Sequence, residues 1–116
     1  MGASTFMTTA FGKTVEEAFA EAAEDAKFRH GQAGYTGTIA EKSNCTVIPA
    51  AEHKRKQKRK YARDLLAEDD ERIVSKWGPA GAISLSGTNE AKRYRKNHDL
   101  QGKHGDVWLF FGWASR

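Results

Sequence analysis

Residues 106–113 read D-V-W-L-F-F-G-W, and the reading of this stretch decides the fold. Side chains alternate faces along an extended chain. Val107, Leu109, Phe111 and Trp113 therefore share one face, and Trp108 and Phe110 point to the other. A strand that is apolar on both faces needs cover on both sides. At a sheet edge, so many large apolar groups would invite aggregation. The segment is expected at the centre of a small antiparallel sheet, with two or three helices packed against it. The fold class is α+β, in one domain over residues 1–116.

Working outward, residues 82–86 form the preceding strand, with Ile83 and Leu85 on one face, entered through the tight apolar turn Trp77-Gly78-Pro79-Ala80-Gly81. The polar stretch 87–105 is long for a loop, so a helical turn is expected over 90–96. At the other end of the chain, the Thr-rich residues 4–10 suit a first strand. Thr14-Val15-Glu16-Glu17 is a capping box. It opens a helix in which Val15, Ala18, Phe19, Ala22 and Ala26 recur at helical spacing and which Gly31 stops. Residues 46–48 make a further short strand, closed by Pro49.

A second helix is expected over 52–67, with Tyr61, Ala62, Leu65 and Leu66 as its apolar stripe. Its first half is the basic run Lys54-Arg55-Lys56-Gln57-Lys58-Arg59-Lys60, which a helix spreads around its axis. The acidic run Glu68-Asp69-Asp70-Glu71 follows, so the charges oppose the helix dipole. Either the run ends this helix, or Asp69 and Asp70 cap a separate short helix over 71–76. Trp77, Trp108 and Trp113 are expected to pack in the core.

At 116 residues the chain is long enough to bury a core without disulfides. The single cysteine, Cys45, excludes an internal disulfide and fits a reducing compartment. No apolar run is long enough to span a membrane, and no secretory leader is evident, so a cytoplasmic location with no membrane partner is expected. Residues 1–50 carry four basic and six acidic side chains, against fifteen and nine in residues 51–116. Such asymmetry suits a face that meets an anionic partner.

Three groups of residues are candidates for function. The first is basic: Lys54, Arg55, Lys56, Lys58, Arg59, Lys60 and Arg63, joined by Lys92, Arg93, Arg95 and Lys96. Phosphate backbones attract such clusters through counterion release, and nucleic acid or a nucleoprotein complex is the expected partner. A merely solvated surface is the plainer reading. The second group is the glycine-rich stretch over 31–42, whose Tyr35, Thr36, Thr38, Glu41 and Lys42 would meet a protein partner. It follows a helix and fits neither nucleotide-loop pattern, so a structural turn with Tyr35 packed beneath it is expected. The third is an acid–base set drawn from His30, Glu41, Lys42, His53, His98 and His104, as a small phosphodiesterase would need. No catalytic motif supports it, so no catalytic residue is assigned. No metal or cofactor motif is present, and none is expected. A sheet edge left open would also allow a homodimer.

Residues 34–42 (G-Y-T-G-T-I-A-E-K), with W-G-P-A at 77–80 and the closing stretch 108–114, resemble small accessory proteins carried by phages and mobile elements. That resemblance brings no activity or catalytic residue with it. It implies action on host nucleic-acid machinery or on defence systems, the latter as a protein-binding inhibitor working through residues 34–42.

Overall fold

The computed structural model describes residues 2–116. β1 (Ala3–Gly12) leads into α1 (Val15–His30), then β2 (Cys45–Val47), α2 (Lys58–Ala67), β3 (Ala80–Ser84), α3 (Asn89–Asn97) and β4 (Asp106–Ser115). The four strands form one sheet in the order β1-β4-β3-β2. β4 is interior to that sheet and pairs antiparallel with β1 and with β3. β2 runs parallel to β3, so the sheet is mixed. The crossover through α2 returns the chain to the same end of the sheet, which a parallel neighbour requires.

β4 is covered on both faces, as its composition demands. Phe110 and Ala114 pack with Phe6, Ala10 and the small face of α1 (Ala18, Ala22, Ala23, Ala26), and Trp108 leans on that cluster. Val107, Leu109 and Phe111 pack on the other face with Ala62, Leu65 and Leu66 of α2 and Ala91 of α3. Phe110 and Phe111 are both fully buried, each stabilising the fold by roughly 1.5–3 kcal/mol. β3 answers the bulk of Phe111 with Gly81, where an added Cβ would lie 2.5 Å from the Phe111 ring.

The caps follow the local sequence. Thr14 Oγ1 accepts from the Glu17 amide at the start of α1. At its end the Gly31 amide donates to Lys27 O, with Gly31 at φ 87°. The helical turn expected over 90–96 is α3, capped by Thr88.

Three expectations are corrected, and the open choice over residues 68–76 is decided. The second helix begins at Lys58, not near residue 52. After Pro49 the chain makes a 3-10 turn, Ala50–His53, which buries His53. Arg55 then takes φ 64°, which no helix accommodates, and Gln57 caps α2 afresh. Lys54, Arg55 and Lys56 therefore lie on a loop, and only Lys58, Arg59 and Lys60 oppose the α2 dipole. No helix forms over 71–76. Asp69 at φ 51° ends α2, and Asp70 turns its carboxylate onto Arg72, which also grips Glu52. Trp77 is 70% exposed, outside the core, on the turn between α2 and β3, where Lys76 Nζ lies 5.2 Å from its ring centroid. Tyr35 is 57% exposed, on a residue with φ 59°, so it is not packed beneath its loop.

Candidate nucleic-acid interface

The two basic segments meet on one face of the sheet. Ala62, Leu65 and Leu66 anchor α2 to the β3–β4 surface, and Ala91 with Tyr94 anchors α3 to the same surface. With those positions turned inward, Arg63 on α2 and Lys92, Arg93 and Lys96 on α3 are left exposed. The exposed loop Lys54, Arg55 and Lys56 lies just ahead of α2. α1 covers the opposite face with five acidic side chains against two lysine or arginine residues. The sheet thus separates an acidic layer from a basic one.

The seam between α2 and α3 is fixed by an ion pair. Arg59 Nε lies 2.9 Å and Nη2 2.7 Å from Glu90 Oε2, across 31 residues of sequence. Beside it runs a groove of about 280 Å³ lined by Gln57 and Lys58 from the start of α2, and by Thr88, Asn89, Glu90 and Arg93 from the start of α3. Two helix N-termini, each carrying partial positive charge, therefore border one groove together with Lys58 and Arg93.

The expected cations are not equivalent. Arg59 is bound to Glu90, and Lys60 Nζ lies 3.3 Å from Asp64. Lys58 Nζ donates to His53 O at 2.7 Å. Arg95 turns back to hold the loop before β4: its guanidinium donates to Leu100 O, Lys103 O and Gly105 O and lies over the Phe11 ring. What remains for an external anion is Lys54, Arg55, Arg63, Lys92, Arg93 and Lys96, together with Lys56, which is exposed but lies over the Tyr61 ring at 5.0 Å from its centroid.

The glycine-rich stretch is bonded inward. Thr36 donates to Glu41 Oε2 from its hydroxyl at 2.7 Å and from its amide at 3.1 Å, and Thr38 Oγ1 lies 2.8 Å from Thr36 Oγ1. Burial pushes the Glu41 carboxyl up, but these bonds and one from the Tyr35 backbone outweigh it and hold the group below the usual carboxylate range. The Gly37 amide fastens the loop to Ser115 O at the end of β4. Lys42 is only 5% exposed. Its Nζ donates to Ser75 O, Lys76 O and Gly78 O at 3.2, 3.3 and 2.9 Å, clasping the turn that carries Trp77. Lys42 is thus a buried staple and leaves the set of surface residues. Of the partner-binding set, Tyr35 alone is exposed.

The four histidines sit on separate elements. His30 ends α1, His104 precedes β4, and both are exposed. His98 follows α3 and stacks on Tyr94 at 4.0 Å between ring centroids. His53 is buried, and desolvation, then the nearby Lys58 charge, hold its imidazole below the usual value. Glu41 and Lys42 are committed to the bonds just described. Among the described residues no three metal-binding side chains cluster, and no helix is long and apolar enough to cross a membrane.

Sequence reasoning missed Gln57, Thr88, Asn89 and Glu90 as lining of the groove. The Thr88-Asn89-Glu90-Ala91 string does carry a helix-start signal, but nothing in it says which helix end it will face. A scan of protein-family models and searches of curated proteins and of solved structures found no match to this chain.

Proposed function

We propose that this protein is a non-enzymatic nucleic-acid-binding protein, and that the α2–α3 face is its interface. One observation carries the reading: two basic segments far apart in sequence, residues 54–63 and 92–96, share one face of the sheet, with acidic α1 on the other. Phosphate contacts through flexible lysines and arginines give affinity without base specificity. On the resemblance to phage-borne proteins, the target would be a host cell's nucleic acid or nucleoprotein complexes, in the cytoplasm.

The test is fluorescence anisotropy with a labelled DNA duplex and a labelled RNA strand, across a salt series. Each phosphate neutralised adds about 0.9 to the slope of log affinity against log salt for duplex DNA. Replacing Lys92, Arg93 and Lys96 by Gln therefore lowers the slope by about 2.7, in proportion to three lost contacts. Binding that ignores salt, or a slope unchanged in the triple variant, refutes this interface.

A second reading is a protein-binding inhibitor, and the exposure of Trp77 on its clasped turn favours it. A rigid exposed tryptophan is a common anchor of protein interfaces. Partners retained after nuclease treatment and lost with Trp77→Ser would support it. Partners lost with the nucleic acid would return the choice to the basic face.

A further inference from the structure

The two edges of the sheet are built differently. β2 is three residues long and is followed at once by Ile48-Pro49, so that edge is short and blunted. β1 is ten residues long, carries no charged residue and no proline, and runs in unbroken register from Ala3 opposite Ser115 to Gly12 opposite Asp106. The strand itself therefore lacks the charges and proline that commonly protect an exposed edge.

The direction of its backbone groups follows from the register. The Arg116 amide donates to Gly2 O, and in an antiparallel pair this bonding recurs at every second residue. Ser4, Phe6, Thr8, Ala10 and Gly12 therefore bond to β4. The parity agrees on the other side of β4, where the Leu85 amide donates to Val107 O, so the odd residues of β4 serve β3. Ala3, Thr5, Met7, Thr9 and Phe11 are left with their N–H and C=O groups directed out of the sheet.

This open edge is the floor of a slot. Over Thr8, Thr9 and Ala10 lies a cavity of about 210 Å³, walled by Glu21, Asp25 and Arg29 of α1 on one side and by Tyr94 and His98 on the other. It continues as a cavity of about 350 Å³ over Phe11, bordered by Leu100 and Lys103. Asp25 is paired with Arg29 at 3.1 Å, while Glu21 has no ion-pair partner among the described residues.

We propose that the slot takes an extended segment of a partner protein, which adds as a fifth strand to β1 and sets a basic side chain against Glu21. The occupant must be a strand, because only a strand supplies alternating donors and acceptors to the row of unpaired backbone groups. A second copy of this chain fits poorly. Antiparallel pairing of β1 with its own copy keeps like faces together, so the overhanging acidic α1 helices would face each other. Each copy would also bring its own α1 and α3 walls into the other's slot. A bare extended segment meets neither obstacle. This surface uses none of the cations left to the α2–α3 basic face, although α3 supplies Tyr94 to one of its walls.

The experiment selects binders to the full chain from a displayed library of random nonapeptides, then follows backbone amide exchange by NMR with a selected peptide. The expected binders carry a lysine or arginine and protect the amides of Thr5, Met7, Thr9 and Phe11, while the already bonded Thr8 and Ala10 amides change little. Thr9→Pro removes an outward N–H without touching the β4 ladder, as an edge strand tolerates, and should weaken binding at least tenfold. Glu21→Lys, a surface change, should turn the selection from basic to acidic peptides even if the proline variant is destabilised. No peptide enriched above the Thr9→Pro control, or protection confined to other amides, would overturn the proposal. Concentration-dependent protection of the same amides without peptide would assign the edge to a second copy and overturn it as well.

Discussion

Lys42→Met tests the role the structure gives to a buried lysine. The ammonium of Lys42 holds three backbone carbonyls, of Ser75, Lys76 and Gly78, at 2.9 to 3.3 Å. Methionine keeps the aliphatic length and removes every donor. Each carbonyl left without its partner costs about 1 kcal/mol, the low end of the range because water can reach this turn. The three together cost about 3 kcal/mol. Burial already pulls the Lys42 pKa below the usual lysine range, so relieving that desolvation returns part of the loss. A net destabilisation of about 2 kcal/mol remains, and for a domain of this size it lowers Tm by about 8 °C. Urea denaturation with far-UV circular dichroism measures it, and the fluorescence anisotropy of the tryptophans should fall as the Trp77 turn loosens. A variant within about 0.5 kcal/mol of the parent, the range of ordinary surface changes, would refute the clasp and return Lys42 to the surface set.

Other perturbations separate the remaining interactions. Burial, then the Lys58 charge, lower the His53 pKa from the usual 6.5, so the unfolded chain takes up a proton more readily than the fold as pH falls through that value. Its contribution to stability is present above pH 6.5 and declines below it, by at most about 1.4 kcal/mol per pH unit. Denaturation midpoints between pH 7 and 5 should fall less steeply in His53→Phe, and equal slopes would contradict this. Glu52 behaves in the same sense at lower pH: hydrogen bonds from Arg72, then Tyr61, hold its carboxyl down to about 2, so its stabilisation is present above 4.5 and is lost toward pH 2. Glu52→Gln should flatten the acid limb there. Gly81→Ala puts a methyl 2.5 Å from the Phe111 ring and should cost about 1–3 kcal/mol by overpacking; a neutral result in a urea titration would mean that Phe111 moves freely. Glu90→Gln releases Arg59 and removes an anion beside the groove, so nucleic-acid affinity should rise and the salt slope steepen. Anisotropy that shows weaker binding would place the ion pair itself in the interface.

The sequence by itself determined the central strand, its two covered faces and α1. Each follows from information carried by neighbouring residues: alternation in β4, helical spacing from Val15 to Ala26, and the caps Thr14 and Gly31. It also exposed the unusual basic run, but not its shape. The break at Arg55 follows the 3-10 turn that buries His53, whose ring lies 6.0 Å from that of Tyr61 on α2. The fate of single charges was likewise decided by tertiary structure. Arg59 meets Glu90 across 31 residues and Lys42 reaches a turn more than thirty residues on, while Lys92, Arg93 and Lys96 are exposed and have no ion pair among the described residues. Local spacing says how a helix is patterned, whereas a cation's role depends on which carboxylate or carbonyl the fold sets beside it. Only the folded sheet, with α1 on one side and α2 and α3 on the other, turns an uneven sequence of charges into an acidic face and a basic one.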